Sequence, residues 1–323
     1  MLAAQTTGDV YQPTLDRVKK CLALIVLLLS ACGGTTTSLT PAYASDAPRV
    51  AAETVAVASH TAGPRPGSQA AAPALIVTPE AADRIDALLM RQSGRAAVVV
   101  AGGRSGELLY SVDADEPVFA ASLYKLGVLL EAERRIDAGT LQPTDLITVN
   151  AADQSESGSF TAAGSVLTVD DALERTIVLS DNASALALIR RLGISHVQAT
   201  LDREGIYLRF TADGAITTAR GIATFFGELV RGSLVSRDAS ARMVARLSRQ
   251  RTVDRLPAAL PAGAVIAHKT GNLGFATHDA GIVTGPGGVP IVLVVLTWDS
   301  AEQDAIYLIR EIALLAYQGL ART

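Results

Sequence analysis

The chain has 323 residues and a formal net charge of −4 at pH 7, with 28 basic and 32 acidic residues. This balance supplies no basic excess of the kind that nucleic-acid binding requires, so we predict no nucleic-acid partner. The four histidines and two cysteines have no spacing that builds a zinc site. We therefore predict no metal and no cofactor.

The N-terminal region has the pattern of an export signal. Lys19-Lys20 precede an apolar run from Cys21 to Leu29, and Leu29-Ser30-Ala31-Cys32 ends in small residues followed by cysteine. The run is too short to cross a bilayer of about 30 Å as a helix. The segment resembles a bacterial lipoprotein signal, which predicts cleavage before Cys32 and lipidation of its thiol. We predict signal peptide 1–31 and an exported protein anchored by lipid to a bacterial membrane.

Residues 32–77 are rich in Ala, Thr, Ser, Pro and Gly, which is typical of a flexible linker. The remaining residues 78–323 are long enough for one large domain with its own core. Because Cys21 would be removed and Cys32 lipidated, no internal disulfide is expected. We predict a monomer.

The elements of the domain follow in chain order. Thr78-Pro79-Glu80 predicts a helix start, with Thr78 as the N-cap. Strands are expected near 96–101 and 107–111, a helical block over roughly 122–250, and a closing helix over 299–317. Further strands are predicted at 264–268, 280–284 and 289–296. Strands at both ends of the domain imply an antiparallel sheet flanked by helices, with a site at its junction with the helical block.

Ser122-Leu123-Tyr124-Lys125 is the first polar motif of the domain. Apolar residues at helical intervals over 123–138 place Ser122 at a helix N-terminus, where its hydroxyl meets the positive end of the dipole. Lys125 lies one turn later on the same face, so it would accept the Ser122 proton if burial lowers its pKa. In isolation, the motif also fits an N-cap serine beside a solvated lysine.

Ser180-Asp181-Asn182 lies between two apolar helical stretches, 169–179 and 183–192. A turn there would direct short polar side chains into a cleft, with Ser180 relaying a proton to a leaving nitrogen and Asn182 donating to a substrate carbonyl. Simple helix capping by these residues is the alternative.

Lys269-Thr270-Gly271 closes the predicted strand 264–268. An edge strand would pair with a peptide-like substrate, and Gly271 would leave room for a ligand beside the backbone. Lys269 supplies positive charge, and Thr270 supplies a hydroxyl for a carboxylate. The backbone N–H groups of Asn272 and Ser122 would form an oxyanion hole. An ordinary strand end before a turn is the alternative.

Together, the three motifs resemble the S-x-x-K, S-D-N and K-T-G motifs of penicillin-recognising serine hydrolases, and most closely those of class A β-lactamases. The similarity runs from about residue 78 to residue 321. It implies an α+β fold of the β-lactamase/D,D-peptidase type, with an antiparallel sheet, flanking helices and an all-helical subdomain. It also implies acylation of Ser122 by a β-lactam or a related amide or ester.

Two features depart from the family pattern. Class A enzymes carry a glutamate beyond S-D-N that activates the deacylating water, but no glutamate occurs between Gly205 and Gly227. Asp213 has the Asp-Gly setting of a turn residue, and Glu204 and Glu156 do not fit the family position. His278 stands where many relatives use an arginine to hold the substrate carboxylate.

The leading hypothesis is a serine hydrolase of the class A β-lactamase type. One alternative is a penicillin-binding or peptidoglycan-sensing module that is acylated without rapid turnover. Another is a D-alanyl peptidase or esterase of the cell wall. A purely structural lipoprotein would require all three motifs to be coincidental.

Overall fold

The computed structural model describes residues 75–155, 157–285 and 288–322. The helices of these residues are α1 (Pro79–Arg91), α2 (Lys125–Asp137), α3 (Val169–Val178), α4 (Asn182–Leu192), α5 (Ile194–Arg203), α6 (Ala219–Arg231), α7 (Arg237–Leu247), α8 (Leu256–Ala259) and α9 (Glu302–Gln318). The strands are β1 (Leu75–Val77), β2 (Arg95–Gly102), β3 (Leu108–Val112), β4 (Val118–Phe119), β5 (Leu146–Thr148), β6 (Val166–Thr168), β7 (Leu208–Thr211), β8 (Gly214–Thr217), β9 (Ile266–Asn272), β10 (Ala276–Thr284), β11 (Pro290–Trp298) and β12 (Leu320–Arg322).

The central sheet has five antiparallel strands in the order β3-β2-β11-β10-β9. Its middle strands are apolar on both faces because helices cover both. Along β2, Val98 and Val100 pack with α1 and α9, whereas Ala97 and Val99 join the core beneath the helical subdomain. The strand β9 lies at the edge of the sheet, beside that subdomain.

The helical subdomain packs closely around α2. A Cβ added to Gly127 of α2 would lie 2.9 Å from Leu201 Cδ1 and 3.3 Å from Val197 Cγ1, both on α5. A glycine at this position therefore lets the two helices approach each other. The tight contact fixes the helix that begins directly after the Ser122 motif.

Most predicted elements are present, and the larger differences concern β1, the helical block and β9. The strand β1 occupies the last residues of the predicted linker 32–77 and pairs with β12, so these three residues belong to the fold. The predicted helical block also contains the short pair β5–β6 and the hairpin β7–β8. The strand predicted over 264–268 instead spans Ile266–Asn272, because pairing with β10 continues through Lys269-Thr270-Gly271.

The predicted signal peptide, Cys32 and the linker up to residue 74 lie outside the described residues. Within the described part, no helix has the length and apolar composition needed to cross a membrane. The same residues contain no group of three or more His, Cys, Asp or Glu side chains arranged to hold a metal.

Candidate active site

Ser122 lies in a 3₁₀ turn, Ala121–Tyr124, that leads directly into α2. The turn follows β4, and its entry is fixed by a hydrogen bond from the Ala120 N–H to the Ala215 carbonyl of β8 at 2.8 Å. Ala121 has a φ of +44°, a left-handed conformation that costs free energy for a residue with a side chain. Ser122 therefore follows a strained residue at the boundary between sheet and helix.

Lys125 is fully buried, and its amine donates to the Ser122 hydroxyl at 3.0 Å. Burial is the largest cause that lowers its pKa well below 10.5, and the nearby positive charge of Lys269 lowers it further. The Asp181 charge acts in the opposite direction. An amine that loses its proton easily, within hydrogen-bond distance of a serine hydroxyl, has the geometry of a general base for that serine.

Ser180 lies in the turn between α3 and α4, with a left-handed φ of +58°. This conformation directs its hydroxyl between the two lysines. Lys125 Nζ donates to Ser180 Oγ at 3.1 Å, and Lys269 Nζ donates to the same oxygen at 3.0 Å. Because that oxygen accepts from both amines, its own proton can point toward a bound ligand.

Asp181 and Asn182 orient the same turn. Asp181 is buried as the N-cap of α4 and accepts from the Phe160 N–H at 2.6 Å. Asn182 Oδ1 accepts from Lys125 Nζ at 2.6 Å, and its Nδ2 donates to the Ser157 carbonyl at 2.8 Å. One donor of the Asn182 amide is therefore engaged within the protein, which leaves at most one for the predicted contact with a substrate carbonyl.

Lys269 projects from the edge strand β9 toward Ser180. Besides its bond to Ser180, the amine donates to the Thr270 carbonyl at 2.8 Å. Burial lowers the pKa of Lys269 to about 7, with the Asp279 charge raising it and the Arg255 charge lowering it further. The five predicted catalytic residues Ser122, Lys125, Ser180, Asn182 and Lys269 thus lie in one hydrogen-bonded group, although their catalytic roles stay predictions.

Gly271 of β9 lets the turn that carries Ser122 pack closely against this strand. A Cβ at Gly271 would lie 3.2 Å from Ala121 Cβ and 3.3 Å from the Ala120 carbonyl oxygen. The glycine therefore makes room for the protein's own turn, where the sequence indicated room for a ligand. This close approach also brings the backbone near Ser122 beside the end of β9, as the predicted oxyanion hole of Ser122 and Asn272 requires.

His278 lies opposite Gly271 on β10 and is fully buried. Burial lowers its pKa to about 4, so its ring is neutral at pH 7. Its Nε2–H donates to the Phe119 carbonyl at 2.8 Å, and its Nδ1 accepts from the Thr297 N–H at 3.1 Å. These bonds occupy both ring nitrogens, so His278 supplies no positive charge for a substrate carboxylate.

Arg255 and Glu302 are two site neighbours that the motifs do not include. Arg255 is buried, and its Nη1 donates at 2.8 Å to the carbonyl oxygens of both Gly271 and His278. The Asn272 amide Nδ2 donates to Glu302 Oε1 on the first turn of α9. Neither residue belongs to a recognisable motif, because each depends on tertiary contact with β9.

The hairpin β7–β8 occupies the stretch in which the family glutamate was expected. Asp213 is exposed in the hairpin turn, and Glu204 is the C-cap of α5. Phe210 of β7 packs edge-on against Tyr124, with ring centroids 6.2 Å apart. Among the described residues, no carboxylate hydrogen-bonds to Ser122 or Lys125. Glu156 lies outside the described residues.

Residues 80–320 match the model of the Beta-lactamase enzyme family. The chain belongs to this family. Its relatives include β-lactamases of Streptomyces fradiae, 31% identical over 46% of this chain and 55% of the relative, and of Streptomyces albus G, 33% identical over 44% and 50%. The chain thus matches about half the length of these relatives. The predicted membership of a β-lactamase family is therefore confirmed by the match to the family model.

Solved structures extend the similarity over the whole domain. The structure of PBP-A has a TM-score of 0.69 and 26% identity, covering 74% of this chain and 95% of PBP-A. An ancestral class A β-lactamase has a TM-score of 0.67 and 26% identity, covering 74% of this chain and 99% of the other. A PBP-A mutant is described as an acyl-enzyme complex with penicillin G. The predicted α+β fold with its antiparallel sheet is confirmed.

Proposed function

We propose that this protein is a serine hydrolase whose Ser122 is acylated by β-lactams or by related amides and esters. The observation that carries the proposal is the hydrogen-bonded group in which Lys125 contacts Ser122 and shares Ser180 with Lys269. A nucleophile, a base of lowered pKa and a proton relay meet there within hydrogen-bond distance.

The proton path follows from these contacts. Neutral Lys125 accepts the Ser122 proton as Oγ attacks the carbonyl carbon of the acyl donor. Backbone N–H groups of Ser122 and Asn272 stabilise the resulting oxyanion. When the carbon–nitrogen bond breaks, the Ser180 hydroxyl gives its proton to the leaving nitrogen and regains one from Lys125, which is then neutral again. Lys269 donates a hydrogen bond to Ser180 and, with its pKa near 7, adds positive charge there when it is protonated.

We further propose that the acyl group leaves Ser122 slowly. Hydrolysis of the ester needs a group that deprotonates water, and such a base contributes about a hundredfold or more to the rate. The described contacts of Ser122 and Lys125 include no carboxylate, and the hairpin places Phe210 against Tyr124. PBP-A and an ancestral class A β-lactamase match this fold about equally well, with TM-scores of 0.69 and 0.67. The contacts of Ser122 and Lys125 are therefore what favours this second candidate, a penicillin-binding protein that is acylated without rapid turnover.

Intact-mass spectrometry with benzylpenicillin tests the acylation. Wild-type protein should gain one adduct that maps to Ser122, and Ser122→Ala should gain none. Lys125→Met keeps the side-chain length without the base and should slow adduct formation by a factor of about 10² to 10⁴. Undiminished labelling of Ser122→Ala would refute the assignment of the nucleophile.

The lifetime of that adduct separates the two candidates. Slow release predicts an adduct that persists for minutes or longer after free penicillin is removed. Asp213→Asn and Glu156→Gln form a matched pair of charge-neutralising variants, and we expect neither to lengthen the lifetime. A rapid wild-type release that one of them abolishes would identify the base and favour an efficient β-lactamase.

We also propose that the protein is exported and anchored to a bacterial membrane through lipid on Cys32. The support is the sequence around Leu29-Ser30-Ala31-Cys32. Cys32→Ser should leave an uncleaved precursor without lipid, as measured by mass spectrometry of membrane and soluble fractions. Wild-type protein that is cleaved elsewhere and carries no lipid would contradict the anchor.

A further inference from the structure

Glu302 joins the first turn of α9 to the end of β9. Its Oε1 accepts from the Asn272 side-chain amide, and the same oxygen lies 3.8 Å from Arg255 Nη2. Arg255 is itself bonded to the main-chain carbonyls of Gly271 and His278. One carboxylate therefore contacts both the side chain that follows the Lys-Thr-Gly motif and the guanidinium behind that motif.

The Glu302 carboxylate lies among groups of different charge at the end of β9. Arg255 is a permanent cation, whereas Lys269 has its pKa lowered to about 7 and His278 is neutral at pH 7. The Glu302 side chain is 48% exposed while that of Arg255 is 3% exposed, so the acid faces solvent and the base does not. Asp254 Oδ1 also lies 3.5 Å from Arg255 Nε, but Glu302 is the carboxylate that contacts the Asn272 side chain at the end of β9.

We propose that Glu302 is a specificity-determining residue for the acylation of Ser122. Its carboxylate offsets the charge of Arg255 and holds the Asn272 side chain at the end of β9, which disfavours anionic acyl donors relative to uncharged ones. This inference rests on the proposed function, because it concerns which donors reach Ser122.

The test compares two donors that differ in one charge, benzylpenicillin and its methyl ester. Second-order acylation rates are measured by intact mass for wild type and for Glu302→Gln, which keeps an acceptor for the Asn272 amide and removes the charge. We expect acylation by benzylpenicillin to become about three- to tenfold faster, the scale of one partly solvated charge pair. The methyl ester should change less than twofold, and added salt should reduce the difference.

Asp304→Asn is the matched control. It removes the same charge two residues further along α9, where the helix turns the side chain about 200° away. We expect it to change neither rate by more than twofold. An equal effect of Asp304→Asn and Glu302→Gln would overturn the inference, because it would show a general effect of net charge.

Asn272→Ala separates orientation from charge. We expect this variant to alter the rates of both donors by a similar factor, since it leaves the Glu302 carboxylate beside Arg255. If Asn272→Ala raised the penicillin-to-ester ratio as much as Glu302→Gln, the charge argument would be overturned. An adduct on wild-type protein with no change in Glu302→Gln would overturn this inference alone. No adduct with either donor would overturn the proposed function and this inference with it.

Discussion

Replacing Lys269 with methionine should stabilise the fold at neutral pH while it abolishes efficient acylation. The Lys269 amine is fully buried, and its pKa is lowered from 10.5 to about 7, a difference that corresponds to about 5 kcal/mol. Because the folded-state pKa is depressed, the unfolded chain keeps this proton up to about pH 10.5, whereas the native protein releases it near pH 7. The free energy of unfolding should therefore rise with pH between these two values.

For this one group, linkage gives a rise of about 2 kcal/mol between pH 7 and pH 9. Denaturant unfolding of wild type and Lys269→Met at both pH values measures it. From pH 7 to pH 9, the free energy of unfolding of the wild type should rise by about 2 kcal/mol more than that of the variant. Removing the Lys269 charge also raises the pKa of Lys125. The unfolding free energy of the variant should therefore depend even less on pH. Parallel pH dependences for the two proteins would refute the assignment of a buried amine with a pKa near 7.

The chain itself provides an independent readout of these two amines. Its four lysines are Lys19, Lys20, Lys125 and Lys269, so the described domain contains only the two at the site. Selective ¹³C labelling of lysine would therefore show two domain resonances. The resonance lost in Lys269→Met should titrate near pH 7, and a titration near pH 10 would contradict the burial of this side chain.

Three further substitutions probe the packing around the site. Gly271→Ala would place a Cβ 3.2 Å from Ala121 Cβ, and we expect acylation of Ser122 to slow about tenfold or more because the turn must shift. Gly127→Ala meets Leu201 at 2.9 Å and should destabilise the fold by about 1–3 kcal/mol in denaturant unfolding, with less effect on the acylation rate. Burial would raise the pKa of Asp181, but hydrogen bonds, the largest from Ser184, lower it below 3.8. Asp181→Asn should therefore lower the free energy of unfolding by about 2–3 kcal/mol at pH 7. The difference in unfolding free energy between wild type and variant should become smaller below about pH 4, because the wild-type carboxylate becomes protonated there.

The sequence predicted the residues of the hydrogen-bonded group because each motif combines a local element with a short polar sequence. Ser122 and Lys125 need only one helical turn between them, and Ser180 needs only a break between two apolar helices. Lys269 lies within a strand, whereas the sequence predicted that the strand ends just before it. The strand continues to Asn272 because β10 offers partners along its whole length, which the local pattern does not show.

Arg255 and Glu302 could not be predicted in the same way. Nothing beside Arg255 in the sequence distinguishes it from the exposed arginines of the chain. Its burial depends on carbonyl groups that β9 and β10 present only after the sheet has formed. The hairpin β7–β8 did carry a local signal, since Asp213-Gly214 lies between alternating apolar residues. This pattern predicts the hairpin that the structure has at residues 208–217, where the family pattern led us to expect a loop.

That hairpin gives the proposed acylation and the proposed slow release a common structural basis. Its strand β8 accepts a hydrogen bond from Ala120 through the Ala215 carbonyl, two residues before Ser122, so it supports the turn that carries Ser122. Its other strand presents Phe210 to Tyr124, an apolar contact that offers a water no proton acceptor. The same segment therefore supports the turn of Ser122, while its carboxylate, Asp213, is exposed in the hairpin turn. A carboxylate introduced into the hairpin should speed release of the acyl group. It should do so without slowing acylation only if β8 keeps its pairing with β4.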